Sequence, residues 1–425
     1  MKVKNNNYIV LGGSHEQFDY IKYLKDNLKN LNIICCDKNP KAYCKFISDK
    51  FLSIDIKNKK KILNLSKNLN IIGISSHISE HAIETINYVS KKLNLPSTSK
   101  LSVKATKSKY FCKKFLNEKN HYVKLNKFKF NIIKKINKNS QVVIKPDESS
   151  GQKNLYKIEK NSKPEIIKKK FFLSKNTSKN RSVVIERFIV GEEINVVCLI
   201  VNKNIYKFIY SLRKRYTGRN GFGVVYRHEY NYLDHLKINN KIKSIINKII
   251  IKLKLNNAII YPQLILDEYN NLNLLEYGER IPGGKMRELF EYATGIDLLN
   301  AQFQISTKKK NLKIKKNIKK YKYISVDFVN GSPGPLKPGN VKKIKTTHFY
   351  KKHQIVDENV FLPNQNKCIK IKKIKSSADR FYYFLSASNS FFNFKENIKY
   401  LVKNIKVVDY ENRSLKRKNF YKYIL

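Results

Sequence analysis

Up to about residue 95 the apolar positions follow two alternating rhythms. Unbroken short runs at 8–11, 32–36 and 71–75 read as buried strands, while the stretches up to 28, over 59–69 and over 80–93 space their apolar residues as amphipathic helices do. Strands alternating with helices predict a small parallel sheet. Gly12 and Gly13 fall at the first strand-to-helix turn, where backbone amides are suited to an anion. The full G-x-G-x-x-G spacing is absent, so no dinucleotide is assigned there.

Past that point the rhythm changes. A helix is predicted over 109–117, followed by short apolar runs at 142–145, 155–158, 182–188, 194–201 and 205–211, a hairpin-rich α+β pattern. After a helical stretch over 241–253, apolar runs at 258–266 and 272–277 flank the turn-forming residues 267–271. That predicts a β-hairpin. Beyond 306 a lysine-rich linker, KKKNLKIKKNIKK, leads to a Gly-Ser-Pro-Gly-Pro turn at 331–335 and a last helix over 394–402.

Composition sharpens this picture. A chain of 425 residues that is 41% hydrophobic can fill the cores of two or three domains. The formal net charge of +55 raises nucleic acid as a partner, yet only 11 of the 87 basic residues are Arg, and the lysines run along the whole length instead of gathering in a stripe. Abundant Asn, Ile, Tyr and Phe with no Trp mark a codon bias acting on a solvated surface, so nucleic acid is not the expected partner. The same bias makes the 15 glycines informative, because most of them cluster. Six cysteines show no paired metal spacing, and no secretory pattern precedes the first strand. Reduced thiols in the cytoplasm are expected. No apolar run approaches the roughly 20 residues that span a bilayer, so no membrane partner is expected.

Three segments carry candidate chemistry. LLEYGERIPGG, residues 274–284, sets a carboxylate (Glu276), an arginine (Arg280) and the pair Gly283-Gly284 just past an apolar run. A carboxylate at a buried strand end needs a cation, and an Arg fork four residues on suits phosphate or carboxylate oxygens, which is the layout of a metal-phosphate site; a hairpin with a surface ion pair reads equally well. Residues 142–158, VVIKPDESSGQKNLYKI, deliver Lys145 from a buried strand ahead of a small-residue turn that suits phosphates. Residues 183–199, VVIERFIVGEEINVVCL, end one apolar run at Glu186 and place Glu192 and Glu193 before the next, as partners for a polar ligand or as an ordinary strand edge.

Taken in order, these segments resemble the ATP-grasp superfamily, in particular its carboxylate-amine ligases and the related biotin carboxylase and carbamoyl phosphate synthetase folds. The resemblance implies a multidomain α/β and α+β chain. An N-terminal parallel α/β domain would span 1–104, an ATP-grasp body 105–306 with a flexible lid at about 110–190, and a C-terminal lobe 307–425. It implies ATP and Mg2+ (or Mn2+) as cofactors, small carboxylate and amine substrates, and a homodimer among the expected assemblies. By the same resemblance Lys109, with Lys107 as its rival, and Lys145 are the nucleotide-binding lysines. Ser149, Ser150 and Gly151 match the phosphate loop, Glu186 with the backbone of Phe188 and Ile189 the adenine hinge, and Glu193 the acid that holds the ribose. Glu276 matches the metal-bridging carboxylate, and Arg280 the group that steadies an acyl phosphate. The first metal acid of the family falls at Gln263, whose amide oxygen can ligate Mg2+ but brings no charge.

Two further patterns compete for attention. His77-Ile-Ser-Glu80-His81 fits the H-x-x-E-H pattern of inverted zinc peptidases. Arg213, Arg215 and Arg219 beside GRNGFG form either a mobile loop over the substrate, with Arg219 a catalytic candidate, or a basic surface hairpin. Arg287 is a weaker substrate candidate. The function these residues point to is an ATP-dependent ligase that makes an acyl phosphate; the alternatives are a bicarbonate-activating carboxylase-like enzyme and a nucleotide- or polyanion-binding protein that lost catalysis.

Overall fold

The computed structural model describes residues 6–116, 118, 122–138, 140–149, 153–215, 224–308, 312–316, 318–328, 340–345, 355–360, 369–370, 380, 382–404 and 406–409. Four strands, β1 (Asn6–Leu11), β2 (Leu31–Asp37), β3 (Lys50–Ser53) and β4 (Ile71–Ser75), form the expected parallel sheet in the order β3-β2-β1-β4. β1, β2 and β4 carry residues buried on both faces, which is why they read as unbroken apolar runs, whereas the edge strand β3 is more exposed and gives no such run. One face packs on the helices Lys59–Lys67 and Ile83–Lys92. At the first turn the amide of Gly12 donates to the Cys36 carbonyl and that of Gly13 to the Asp37 carboxylate, both at 2.8 Å. Those two amides are therefore engaged within the fold.

A second sheet is small and antiparallel. It comprises β5 (Tyr122–Leu125), β6 (Val142–Pro146), β7 (Tyr156–Ile158) and β8 (Val183–Arg187), ordered β5-β8-β6-β7. With the helices Phe130–Asn137 and Pro164–Thr177 it encloses an apolar core of its own, from Val142 and Ile144 to Phe171. Lysines interrupt both helices at almost every turn, so their apolar spacing is faint in the sequence.

The remaining strands are β9 (Gly191–Val201), β10 (Asn204–Arg215), β11 (Val225–Asn231), β12 (Ala258–Ile260), β13 (Gln263–Asp267), β14 (Leu272–Glu276), β15 (Tyr323–Phe328), β16 (Asn340–Lys345), β17 (Ile355–Val360), β18 (Ile369–Lys370), β19 (Tyr382–Ser388) and β20 (Lys406–Asp409). Nine of them make one sheet in the order β14-β13-β9-β10-β11-β15-β19-β17, with β12 also on β9. The run 258–266 is split at Tyr261-Pro262, since proline has no N–H for the ladder; the amide of Val196 bonds the Pro262 carbonyl at 3.0 Å and the strand resumes. Helix Asn239–Leu253 covers one face of this sheet.

The other face shares the main core with the parallel sheet and the helices Met286–Thr294 and Leu298–Ser306. At that junction the Tyr8 hydroxyl bonds Tyr20, Ser75 and Ser306 at 2.8, 2.8 and 2.5 Å. One buried polar group thus ties the parallel-sheet unit to the helix Leu298–Ser306. Gly73 lies there too, and a Cβ on it would come within 2.7 Å of both the Ser306 carbonyl oxygen and the Tyr8 ring. Replacing Gly73 by Ala should therefore cost about 1–3 kcal/mol and lower Tm, measured by differential scanning calorimetry; an unchanged Tm would contradict this close approach.

Candidate active site

The small sheet and the hairpin β13-β14 face each other across a cleft. Its larger cavity, about 350 Å3, is walled by Lys109, Lys145, Ser149, Arg213, His228, Tyr261, Gln263, Glu276, Arg280 and Arg380 among others. A narrower cavity of about 90 Å3 continues past Lys145 to Glu186, Phe188, Ile189 and Glu193. Lys109, Lys145, Arg213, Gln263 and Glu276 wall both. These five, spread over 167 positions of sequence from Lys109 to Glu276, thus share one cleft, while Ser150, Gly151 and Arg219 lie outside the described residues.

Lys145 projects from β6 beside Glu186 on the neighbouring β8, and their charged atoms meet at 2.5 Å. Lys113 closes on the other oxygen of Glu186 at 3.0 Å and donates to the Leu274 carbonyl at 2.6 Å. All three side chains are buried. Burial alone would raise the Glu186 pKa, but the two lysines hold it at about 2. Burial lowers that of Lys145, with Lys113 adding to the effect and Glu186 opposing it. Lys113 and Lys109 come from one helix, Lys109–Phe115, four residues apart and hence on one face.

Glu276 ends β14 directly opposite Gln263 on β13. Lys109 stands 3.6 Å from the Glu276 carboxylate and donates to the Ser149 carbonyl at 2.8 Å. Its rival Lys107 pairs instead with Glu84 at 2.6 Å. The amide of Phe188 is taken by the Gln141 carbonyl at 2.8 Å, and its ring lies under Lys157. Glu193 is gripped by Arg213 at 2.7 Å and Arg215 at 2.9 Å, so these two arginines fold onto the sheet and not onto a surface hairpin.

Arg280 reaches across to the first unit and pairs with Glu80 at 2.6 Å, next to the Tyr261 ring. The H-x-x-E-H segment is accounted for by this contact: His77 is buried against Tyr20 and Gln302, Glu80 orients Arg280, and His81 faces Lys179. Among the described residues no three His, Cys, Asp or Glu side chains cluster as a metal site. Arg287, bonded to Glu288 at 2.7 Å and Glu291 at 3.2 Å, lines a separate cavity of about 460 Å3 that adjoins the first at Glu16, Ile78 and Gly284.

No family model and no curated protein matches this sequence. Solved structures do match in three dimensions. A phosphoribosylglycinamide synthetase from Anaerococcus prevotii superposes with a TM-score of 0.71 at 19% identity, over 95% of this chain and 100% of that one. An L-amino acid ligase from Bacillus licheniformis gives 0.71 at 13%, over 96% and 99%. The biotin carboxylase domain of a Hydrogenobacter thermophilus 2-oxoglutarate carboxylase, in complex with MgADP and bicarbonate, gives 0.69 at 12%, over 95% and 90%. The chain has the ATP-grasp fold. Among the described residues no helix is long and apolar enough to cross a membrane.

Several residues of this cleft are absent from the sequence reading: Glu80 as a partner, Tyr261, His228 and Arg380 in its walls, and Lys113 buried behind Glu186. Burial, Arg213 and Arg380 hold the His228 pKa well below the ordinary value, so the ring is neutral. The scarcity of arginine was a signal for Arg380. Nothing local distinguishes Lys113 from the other lysines.

The charges here predict opposite pH responses. Glu186→Gln should cost about 3–5 kcal/mol in urea unfolding, because it leaves two buried lysines without their anion. Glu186 is depressed in the fold, so its contribution is present above the ordinary carboxylate value of 4.5 and fades as pH falls toward about 2; a wild-type-minus-variant gap that grows on acidification would refute this. Glu279, enclosed with Thr98 and Ser102 donating to it, is instead raised by burial to about 7. Its protonated form belongs to the fold, and stability is lost as pH rises through 7. Glu279→Gln should therefore raise Tm relative to wild type at pH 8.5 more than at pH 5.5, and an equal shift at both would contradict the assignment.

Proposed function

We propose that the protein is an ATP-dependent ligase that joins a carboxylate to an amine through an acyl phosphate, releasing ADP and phosphate. The observation that carries this reading is that Lys145, from the small sheet, and Glu276, from the large one, wall the same cleft. The triphosphate is read into the wider cavity, between Lys109 and Lys145 and beside Ser149, with Ser150 and Gly151 proposed as further phosphate-binding residues. The base is read into the narrower cavity, against Glu186, Phe188 and Ile189, with Glu193 toward the ribose.

A hard cation takes oxygen ligands and keeps several from phosphate or water, so one carboxylate suffices from the protein. Glu276 is that carboxylate in this reading: it faces the cleft, with Lys109 at 3.6 Å. Bound Mg2+ (or Mn2+) supplies charge neutralisation of the phosphates. Lys109 and Lys145 share that task, and Arg280, fixed by Glu80, steadies the transferring group over the acceptor carboxylate. Arg219 is proposed as a further catalytic residue. Residues 105–306 form the ATP-grasp body in this account, with 1–104 and 307–425 flanking it. The small sheet acts as the lid at about 110–190 whose closure excludes the water that would hydrolyse the acyl phosphate. The five described cysteines are free and buried, which supports work in a reducing cytoplasm.

The test is ADP release across a panel of carboxylate and amine pairs, with bicarbonate alone as the control for a carboxylase. Turnover that needs both an acid and an amine is expected, and Lys145→Ala and Glu276→Gln should each lower it on the order of 100-fold or more. ADP release with bicarbonate alone, or no nucleotide binding at all, would overturn the assignment.

A further inference from the structure

On the Gln263 side of the cleft a cation is already built into the protein. Arg213 leaves β10 and crosses β9, where Nη1 donates to Glu193 Oε2 at 2.7 Å, to reach β13, where the same Nη1 donates to Gln263 Oε1 at 3.2 Å. The amide oxygen that a second metal would use thus accepts a guanidinium N–H. Glu193, the carboxylate that shares Arg213 with Gln263, has its other oxygen on Arg215 at 2.9 Å. His228, paired with Arg213 across β10 and β11, is neutral and bonded to Asn195 at 3.1 Å. Arg380 lines the same wall. A divalent cation placed on Gln263 would meet the fixed charge of Arg213, and the carboxylate opposite, Glu276, is the ligand of the first ion, so these residues do not fit a second one.

We infer that Arg213 stands in for a second metal ion: its guanidinium is the fixed cation on the Gln263 side of the nucleotide phosphates, and the site works with one divalent ion, held by Glu276. This rests on the nucleotide-binding reading above. An Arg fork suits phosphate oxygens as well as it suits the carboxylate it now holds, and it is already inside the cleft, walling both cavities. Gln at position 263 follows from this arrangement, because a second acid there would bind Arg213 and pull it out of reach of phosphate.

The experiment counts Mn2+ per bound nucleotide. The full chain is dialysed against a non-hydrolysable ATP analogue and Mn2+, bound nucleotide is measured by absorbance, and free Mn2+ by its paramagnetic resonance signal. Wild type should retain one Mn2+ per nucleotide. Arg213→Met should weaken nucleotide affinity about tenfold or more, the scale of one lost charge-assisted hydrogen bond, and Arg213→Met with Gln263→Glu should bind a second Mn2+. Nucleotide retained by wild type with two Mn2+ overturns this inference alone, as does a double variant that stays at one. No retained nucleotide overturns the underlying reading and this inference with it.

Discussion

A carboxylate buried between two lysines holds the cleft together. Glu186 belongs to the small sheet, Lys113 to the helix Lys109–Phe115, and Lys145 to the strand beside Glu186, while Lys113 also caps the Leu274 carbonyl next to the hairpin end that carries Glu276. One anion therefore fixes how small sheet, helix and hairpin sit relative to each other. Such a group is costly to bury and is tolerated only because every charge has its partner. Its second consequence is chemical: with Glu186 kept anionic, Lys145 is held extended toward the space between the sheets.

The cleft that results is unusual in its charge. Lys109, Lys145, Arg213, Arg280 and Arg380 wall the larger cavity against few acids, and two of the acids near it are bound to arginines, Glu80 to Arg280 and Glu193 to Arg213. A cavity lined this way favours a polyanion. The formal +55 of the whole chain plays little part in that, since it lies mostly on lysines spread along the sequence. What matters locally is which cations lie inside the cleft and how each is oriented.

How much of this was legible in the sequence depends on the range of the interaction. Three strands of the parallel sheet were readable because they are buried on both faces, and β4 falls where the apolar run at 71–75 put it; the more exposed edge strand β3 was not. The hairpin ending in Glu276 was readable as well, with its proline break at residue 262 as the one departure. The helices Phe130–Asn137 and Pro164–Thr177 were not, because lysines dilute their apolar spacing. Within the cleft, the strand ends were legible as positions for charge, but the partners were not: Glu80 and Arg280 are 200 residues apart, and Glu80 stood out only as part of a zinc-like pattern. Arg213 was visible as a scarce residue without a destination. Its reach over β9 to Gln263 is a property of strand order, which no local pattern encodes.

The central claim is that a nucleotide triphosphate lies between the two sheets. Its most direct test is a crystal structure of the full chain with Mg2+ and a non-hydrolysable ATP analogue. The account predicts phosphates in contact with Lys145 and the metal on Glu276; a nucleotide bound elsewhere, or phosphates that leave either residue untouched, would contradict it.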